Sequence, residues 1–179
     1  MRITVSGAVG SGKSTVSKLL ADELGYAYHS VGDLLRKLAK KHGTDIVGIS
    51  KKAETDPSID KELDDMQRAL AGEDNFVMDS RLGFHFIPNS YKVYLKVGPE
   101  EAAKRIMKDT RSSERYKSAG EAARLLRKRM DSESKRYKEY YGITYPDEKA
   151  FDVVIDTTNS MPENVVKEIK RRLKDGGSC

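Results

Sequence analysis

Eight residues near the amino terminus, Gly7-Ala8-Val9-Gly10-Ser11-Gly12-Lys13-Ser14, constrain this chain more than any other segment. Three glycines let backbone N–H groups turn inward as an anion nest, at torsions that would strain other residues. The run Ile3-Thr4-Val5-Ser6 before the loop is β-rich. After it, Val16, Leu19, Leu20 and Leu24 recur at helical spacing from Lys13 onward, and Gly25 closes the pattern. The helix start adds the positive end of its dipole to the nest. Lys13 is suited to lie between the β- and γ-phosphates of ATP, and Ser14 to ligate Mg²⁺. Gly7 to Ser14, with Thr15, therefore forms a candidate P-loop for ATP·Mg²⁺. Such a loop does not say what becomes of the ATP, because GTPases, motor ATPases and small-molecule kinases all carry one.

The rest of the chain supplies the setting. Tyr26 to His29, Asn75 to Asp79, Tyr91 to Val97 and Phe151 to Asp156 are expected strands, and Met161 to Leu173 is an expected amphipathic helix. Strands alternating with helices imply right-handed crossovers and a parallel sheet covered on both faces. The expected fold is α/β: a three-layer α/β/α P-loop NTPase with a five-stranded parallel sheet, in one domain over 1–179. Ser30 to Asp74 and Gly98 to Ala150 are too long for simple crossovers. Both read as helical excursions over the carboxyl edge of the sheet, where ligands of open α/β folds bind. The tail Asp175-Gly176-Gly177-Ser178-Cys179 reads as frayed.

Composition narrows the partners. The formal charge is +5, yet the stretch from Lys104 to Lys138 holds thirteen Lys or Arg against five Asp or Glu, leaving the remainder net negative. Basicity confined to one segment points to a local anionic ligand over a generally basic nucleic-acid-binding body. A solvated helix laced with ion pairs is the other reading. The one cysteine, Cys179, allows no disulfide framework. The amino terminus runs straight into the loop, which leaves no room for a signal peptide, and no apolar run reaches membrane-spanning length. The expectation is a soluble cytoplasmic protein.

No guanine-reading Asn-Lys-x-Asp run occurs, and the short length suits a small kinase better than a motor. Ser30-Val31-Gly32-Asp33-Leu34-Leu35-Arg36 resembles the nucleoside monophosphate kinase pattern of a hydroxyl residue, a Gly-Asp pair and an Arg. The resemblance implies that Arg36 holds the acceptor phosphate and that Ser30 lies near the sugar and base. Asp79-Ser80-Arg81 is similar to the acid-Gly-Arg of that family, where the acid orients Mg²⁺ through water and the Arg clamps the acceptor phosphate. Ser80 departs from the glycine. Guanidinium groups suit a phosphate acceptor on physical grounds too, because they bind it bidentately. The alternative for Arg36 is an exposed ion pair with Asp33 at i,i+3. His29 and His85 read as packing or hydrogen-bonding residues.

Arg129, Glu133 and Arg136 fall at i, i+4 and i+7, one face of a helix. This spacing resembles the Arg-x-x-x-Asp-x-x-Arg of cytidylate kinases, whose carboxylate touches the CMP side and whose arginines straddle both phosphate chains. An ordinary ion-paired helix is the alternative. Lys135 to Ile143 is similar to the Arg-Tyr-Lys-Glu-x-Tyr-Gly-Ile run of archaeal-type cytidylate kinases, and Val154 to Thr158 resembles the last strand and adenine-side loop. The resemblance covers roughly 1–108 and 126–173. It implies a nucleotide-binding insert at about 31–73 and a lid at about 108–136. Arg111 or Arg115 is expected to reach the transferring phosphoryl.

The function these features imply is phosphoryl transfer from ATP·Mg²⁺ to CMP or dCMP. Lys13, Arg129 and Arg136 are the expected catalytic residues, and Gly7 to Thr15 with Arg111 would bind ATP. Ser30, Arg36, Arg81 and Glu133 would bind the acceptor, and Ser14 and Asp79 would serve Mg²⁺. Partners are ATP and a nucleoside monophosphate, with no membrane or nucleic acid, on a monomer. Two rivals stay open: a kinase for AMP, dTMP or a non-nucleotide such as shikimate, and a P-loop ATPase acting as an RNA or ribosome assembly factor.

Overall fold

The computed structural model describes residues 1–108 and 118–176, without the side chains of residues 46, 47, 50, 126, 129 and 176. The strands are β1 (Arg2–Gly7), β2 (Ala27–Ser30), β3 (Phe76–Asp79), β4 (Tyr91–Lys96) and β5 (Val153–Asp156). The helices are α1 (Lys13–Leu24), α2 (Val31–Lys41), α3 (Ile46–Ala53), α4 (Pro57–Ala69), α5 (Gly83–Phe86), α6 (Pro99–Lys108), α7 (Ala119–Tyr141) and α8 (Pro162–Gly176). The strands form one parallel sheet in the order β2-β3-β1-β4-β5. This is the α/β fold the sequence led us to expect. β3 is buried at every position, as a strand covered on both faces must be. Among the described residues no helix is long and apolar enough to cross a membrane.

The chain forms two compact units: Met1–Ser6 with Ser17–Lys92, and Gly7–Val16 with the chain from Val93 onward. In the first, β1 and β2 both pair with β3 in parallel register. Val5 and Ser30 stand opposite Asp79 at the carboxyl ends. Ile3, Val5, Phe76, Val77 and Met78 are wholly buried there. The excursion after β2 has a small core of its own, Leu38, Ala39, Ile49, Ala53 and Ile59, with Leu35 and Leu63 packed against it. Its helices start on Ser30, Asp45 and Asp56, whose side chains accept backbone N–H bonds. Each satisfies one of the orphan donors of a first turn.

In the second unit β4 pairs with β5 from Val93↔Val153 to Lys96↔Asp156. α7 is capped by Ser118 and ends at Gly142 in the left-handed conformation, φ +69°. Its carboxyl-terminal half rests on an aromatic cluster. Tyr137 packs edge-on to Tyr145 at 5.7 Å, and Tyr94 lies 6.2 Å from Tyr145 and 4.9 Å from Phe151. Ser134 Oγ donates to the Tyr145 carbonyl at 2.9 Å.

Strand ends moved by a residue or two, for local reasons. Tyr26 is not in β2, because its N–H goes back to Ala21 O at 2.9 Å and closes α1 beside Gly25 at φ +67°. β2 instead runs through Ser30. Asn75 sits at φ +56° before β3, and its side chain accepts from the Met1 amino group at 2.7 Å. Phe151 closes a 3₁₀ turn on Glu148, so β5 begins at Val153. The tail expected to fray is helical through Gly176, with Asp175 paired to Arg171 at 2.9 Å. Residues 177–179 lie outside the described residues.

Candidate active site

The loop from Gly7 to Ser14 is shaped by its backbone. Gly7 has φ +149°, and a Cβ there would lie 2.3 Å from the Leu95 carbonyl oxygen. Gly10 has φ +83°, and its Cβ would come within 2.8 Å of the Ala102 backbone. No side chain fits at either position. Gly12 has φ +82° with nothing within 4 Å of its Cβ position, so torsion alone selects glycine there. Ser11 N donates to Ala8 O at 3.2 Å, and Val16 N to Gly12 O at 2.9 Å begins the helical ladder of α1. Lys13 Nζ donates to Ala8 O at 3.1 Å, folding the side chain along the loop. Ala8, Val9, Lys13 and Ser14 are half-buried, Ser11 is buried and Thr15 is exposed.

Two residues that sequence reasoning passed over hold this loop. Arg105 of α6 donates to Thr157 O at 2.7 Å, Thr158 O at 3.1 Å and Gly10 O at 3.4 Å, while Glu101 takes its Nε at 2.9 Å. The Thr157 hydroxyl is buried and lies 2.9 Å from Ser11 O and 2.8 Å from Lys96 O. Its one proton serves either carbonyl. The loop, the end of β4 and the turn after β5 are therefore tied together. Asp156 completes that turn. Its carboxylate accepts from the Thr158 hydroxyl and N–H, and these bonds hold its pKa below the usual carboxylate range, with a smaller part from Lys96. Arg105 gave no separate signal because it is one of thirteen cations in a basic stretch, at i,i+4 from an acid.

Within α7, Glu133 is only 8% exposed, although Met130, Asp131 and Lys135 beside it are exposed. A buried carboxylate needs cationic or hydrogen-bonding partners, which an idle surface acid does not. Arg136, half-buried, reaches Ser132 Oγ at 3.4 Å. Arg129 lies in α7, but its side chain is outside the described residues, as are Arg111 and Arg115 entirely.

The first unit gathers the acceptor candidates at the carboxyl ends of β2 and β3. Ser30 is buried, and its hydroxyl accepts from Asp33 N at 3.3 Å. Asp79, opposite it in the ladder, is also buried. Asp79 is followed by a turn held from two sides. Ser6 Oγ lies 2.8 Å from Ser80 O and 3.1 Å from Arg81 O, and Ser80 Oγ donates to Gln67 Oε1 of α4 at 2.8 Å. Arg81 is half-buried. Arg36 takes the alternative pairing: both its Nε and its Nη2 go to Asp33 Oδ1. The geometry thus gathers Ser30, Asp79 and Arg81 and sets Arg36 on an exposed ion pair one turn into α2. His29 bonds Glu73 at 3.2 Å and packs edge-on to Phe76, as a packing histidine should.

The residue types suit Mg²⁺. It is a hard cation that prefers oxygen, keeps much of its water and is usually held by one or two protein oxygens plus substrate phosphates. The Ser14 hydroxyl and the Asp79 carboxylate are each an oxygen of this kind.

This parallel sheet and glycine loop are those of a P-loop fold, and the family matched along the chain makes it an ATP-dependent phosphotransferase. Residues 2–159 match the cytidylate kinase-like family, and the chain belongs to it. It is 38% identical to the cytidylate kinase of Sulfolobus acidocaldarius over 169 residues, covering 92% of this chain and 90% of that one. Against the cytidylate kinase of Haloarcula marismortui it is 38% identical over 170 residues, 93% of this chain and 85% of the relative. An S-adenosylmethionine-dependent nucleotide dehydratase of Lacinutrix mariniflava is 37% identical over 87% of the chain. The chain spans only 32% of that protein's length. Among solved structures, the shikimate kinase of Aquifex aeolicus superposes with a TM-score of 0.64 at 23% identity, over 99% of both chains. An uncharacterized protein of Eubacterium ventriosum gives 0.72 at 18%, over 97% of this chain and 98% of that one. At such identities the likeness is one of fold.

Proposed function

We propose that this chain transfers the γ-phosphoryl group of ATP to CMP or dCMP. The observation that carries this reading is the match to archaeal cytidylate kinases along nine-tenths of both chains. An oxygen of the CMP phosphate forms the new P–O bond as the bond from the γ-phosphorus to the β–γ bridging oxygen breaks, releasing ADP. The attacking oxygen is already ionised, so no general base is needed. What the reaction does need is alignment and positive charge around a dispersed, in-line transition state. Lys13, Arg129 and Arg136 would supply that charge, and Arg111 with Gly7 to Thr15 would bind ATP. Ser14 and Asp79 would hold Mg²⁺ and its water, and the ion would neutralise charge on the phosphates. Ser30, Arg36, Arg81 and Glu133 would bind the acceptor. In this arrangement residues 31–73 form the acceptor-binding insert and about 108–136 the lid of a single kinase domain, working as a monomer in the cytoplasm.

The two families of named relatives above act on nucleotides, which favours a nucleotide acceptor over shikimate or a sugar acid. A coupled assay of ADP release over CMP, dCMP, UMP, AMP, dTMP, shikimate and RNA tests the proposal. CMP or dCMP should stimulate most. Preference for any other small acceptor would replace the substrate, and stimulation by RNA alone, falling steeply with salt, would replace the class.

A further inference from the structure

We propose that Gln67 and Ser80 form a positioning pair that sets the acceptor-phosphate clamp, an inference that rests on the kinase reading above. Ser80 stands between the two candidate residues of the turn after β3, Asp79 and Arg81. Its side chain is 3% exposed, as is that of Gln67. The hydroxyl donates to Gln67 Oε1 at 2.8 Å, a bond with no solvent to compete for it. The other amide group of Gln67 reaches its own helix, at Leu63 O, 3.5 Å away. Among the described residues Ser80 is thus the one hydrogen-bond partner outside α4 for this side chain.

The bond joins two things that must move together if an acceptor is to be read correctly. α4 belongs to the excursion Val31–Ala69, which packs on a small core of its own. The turn belongs to the sheet: Ser80 N donates to Val5 O at 3.1 Å, and the Ser6 hydroxyl holds the carbonyls of Ser80 and Arg81. With its backbone fixed by β1, the turn offers the Ser80 side chain to the excursion. A buried neutral hydrogen bond between an exposed-surface excursion and a sheet edge adds only about 1 kcal/mol to stability. Its larger effect is geometric, because displacing a phosphate-binding guanidinium by a fraction of an ångström weakens its hold on the acceptor phosphate. Gln67 and Ser80 touch neither reacting atom; they act through Arg81.

Two near-isosteric variants, Ser80→Ala and Gln67→Met, and their combination test this with the whole chain. Steady-state constants for CMP and for ATP are measured alongside thermal midpoints. Each single variant should raise the KM for CMP about tenfold and leave the KM for ATP within about twofold. The double variant should be no worse than either single one, since one bond is lost in all three. Additive effects, equal rises in both KM values, or an unchanged KM for CMP would overturn the pair's role. If one variant fails to fold, the other carries the test. A wild-type protein inert towards every nucleoside monophosphate sinks the kinase reading and the pair with it. An active wild type with indifferent variants sinks the pair alone.

Discussion

In the proposed kinase the donor loop and the acceptor turn would solve the same problem, holding a phosphate, with different parts of the chain. In the donor loop the backbone would do the holding. Gly7 and Gly10 have no room for a side chain, and Arg105 and Thr157 fasten the loop through its carbonyl oxygens. In the acceptor turn, side chains from separate segments would set Asp79 and Arg81 in place: Ser6 holds the carbonyls of Ser80 and Arg81, and Ser80 bonds Gln67. A triphosphate common to many enzymes can be met by a fixed backbone nest, whose shape barely depends on the neighbouring sequence. An acceptor particular to one enzyme calls for side chains that can be exchanged. The comparison implies that donor-loop changes should damage catalysis broadly, whereas acceptor-turn changes should be selective for one substrate.

The hardest blow to that contrast is Lys13→Ala. Loss of one charge-stabilising donor at a transition state costs about 10²- to 10³-fold in kcat. We expect a loss at the upper end, with every acceptor affected alike and the thermal midpoint nearly unchanged. Turnover within tenfold of wild type would remove Lys13 from the reaction. Gly10→Ala follows. Its Cβ would sit 2.8 Å from the Ala102 backbone at φ +83°, and the torsion alone costs about 1–3 kcal/mol. Loss of both stability and ATP binding is expected, seen by calorimetry and by nucleotide titration. A folded Gly10→Ala protein with normal ATP affinity would show that the loop tolerates a different shape.

Arg105→Lys separates charge from geometry. Lysine keeps the charge but cannot span three carbonyls with a planar fork. Losing charge-assisted bonds to Thr157 O and Thr158 O should cost about 2 kcal/mol of stability and raise the KM for ATP while sparing that for CMP. A rise in the CMP constant instead would blur the division between the two regions.

The donor loop was legible for the reason that makes it robust. Backbone strain demands glycine at set positions, so Gly7, Gly10, Gly12 and the following Lys13 and Ser14 declare themselves in order. The five strands were legible from short β-rich runs, and their ends were not, because Tyr26 is claimed by the local turn that closes α1 and Asn75 takes φ +56° before β3. Gln67 was invisible. It looks like any polar residue of an amphipathic helix until the fold brings Ser80, thirteen residues away, within 2.8 Å. Arg36 shows the converse: its sequence context pointed to a phosphate clamp, with an Asp33 ion pair as the alternative, and the pairing present is the local one. Side chains that converge from distant segments carry no spacing to read.

The smallest expected effect lies beside the acceptor turn, in α5. His85 is pushed below the ordinary histidine range by partial burial against its neighbours, and secondarily by the positive charge of Arg68. Arg68 lies over the Phe86 ring at 5.0 Å, and His85 meets the same ring edge-on at 5.0 Å. The unfolded chain therefore binds a proton at His85 more readily than the folded one. Stability from this residue is present above the ordinary histidine value and is lost as pH falls through the lowered one. The exposure of His85 keeps this contribution small. Arg68→Ala should raise the His85 midpoint in an NMR titration, but only part of the way back, because burial is the larger cause. A full return would make charge the main cause, and no movement would leave burial alone. Arg68→Ala should not alter the KM for ATP, since the residues that hold the donor loop all lie on other elements.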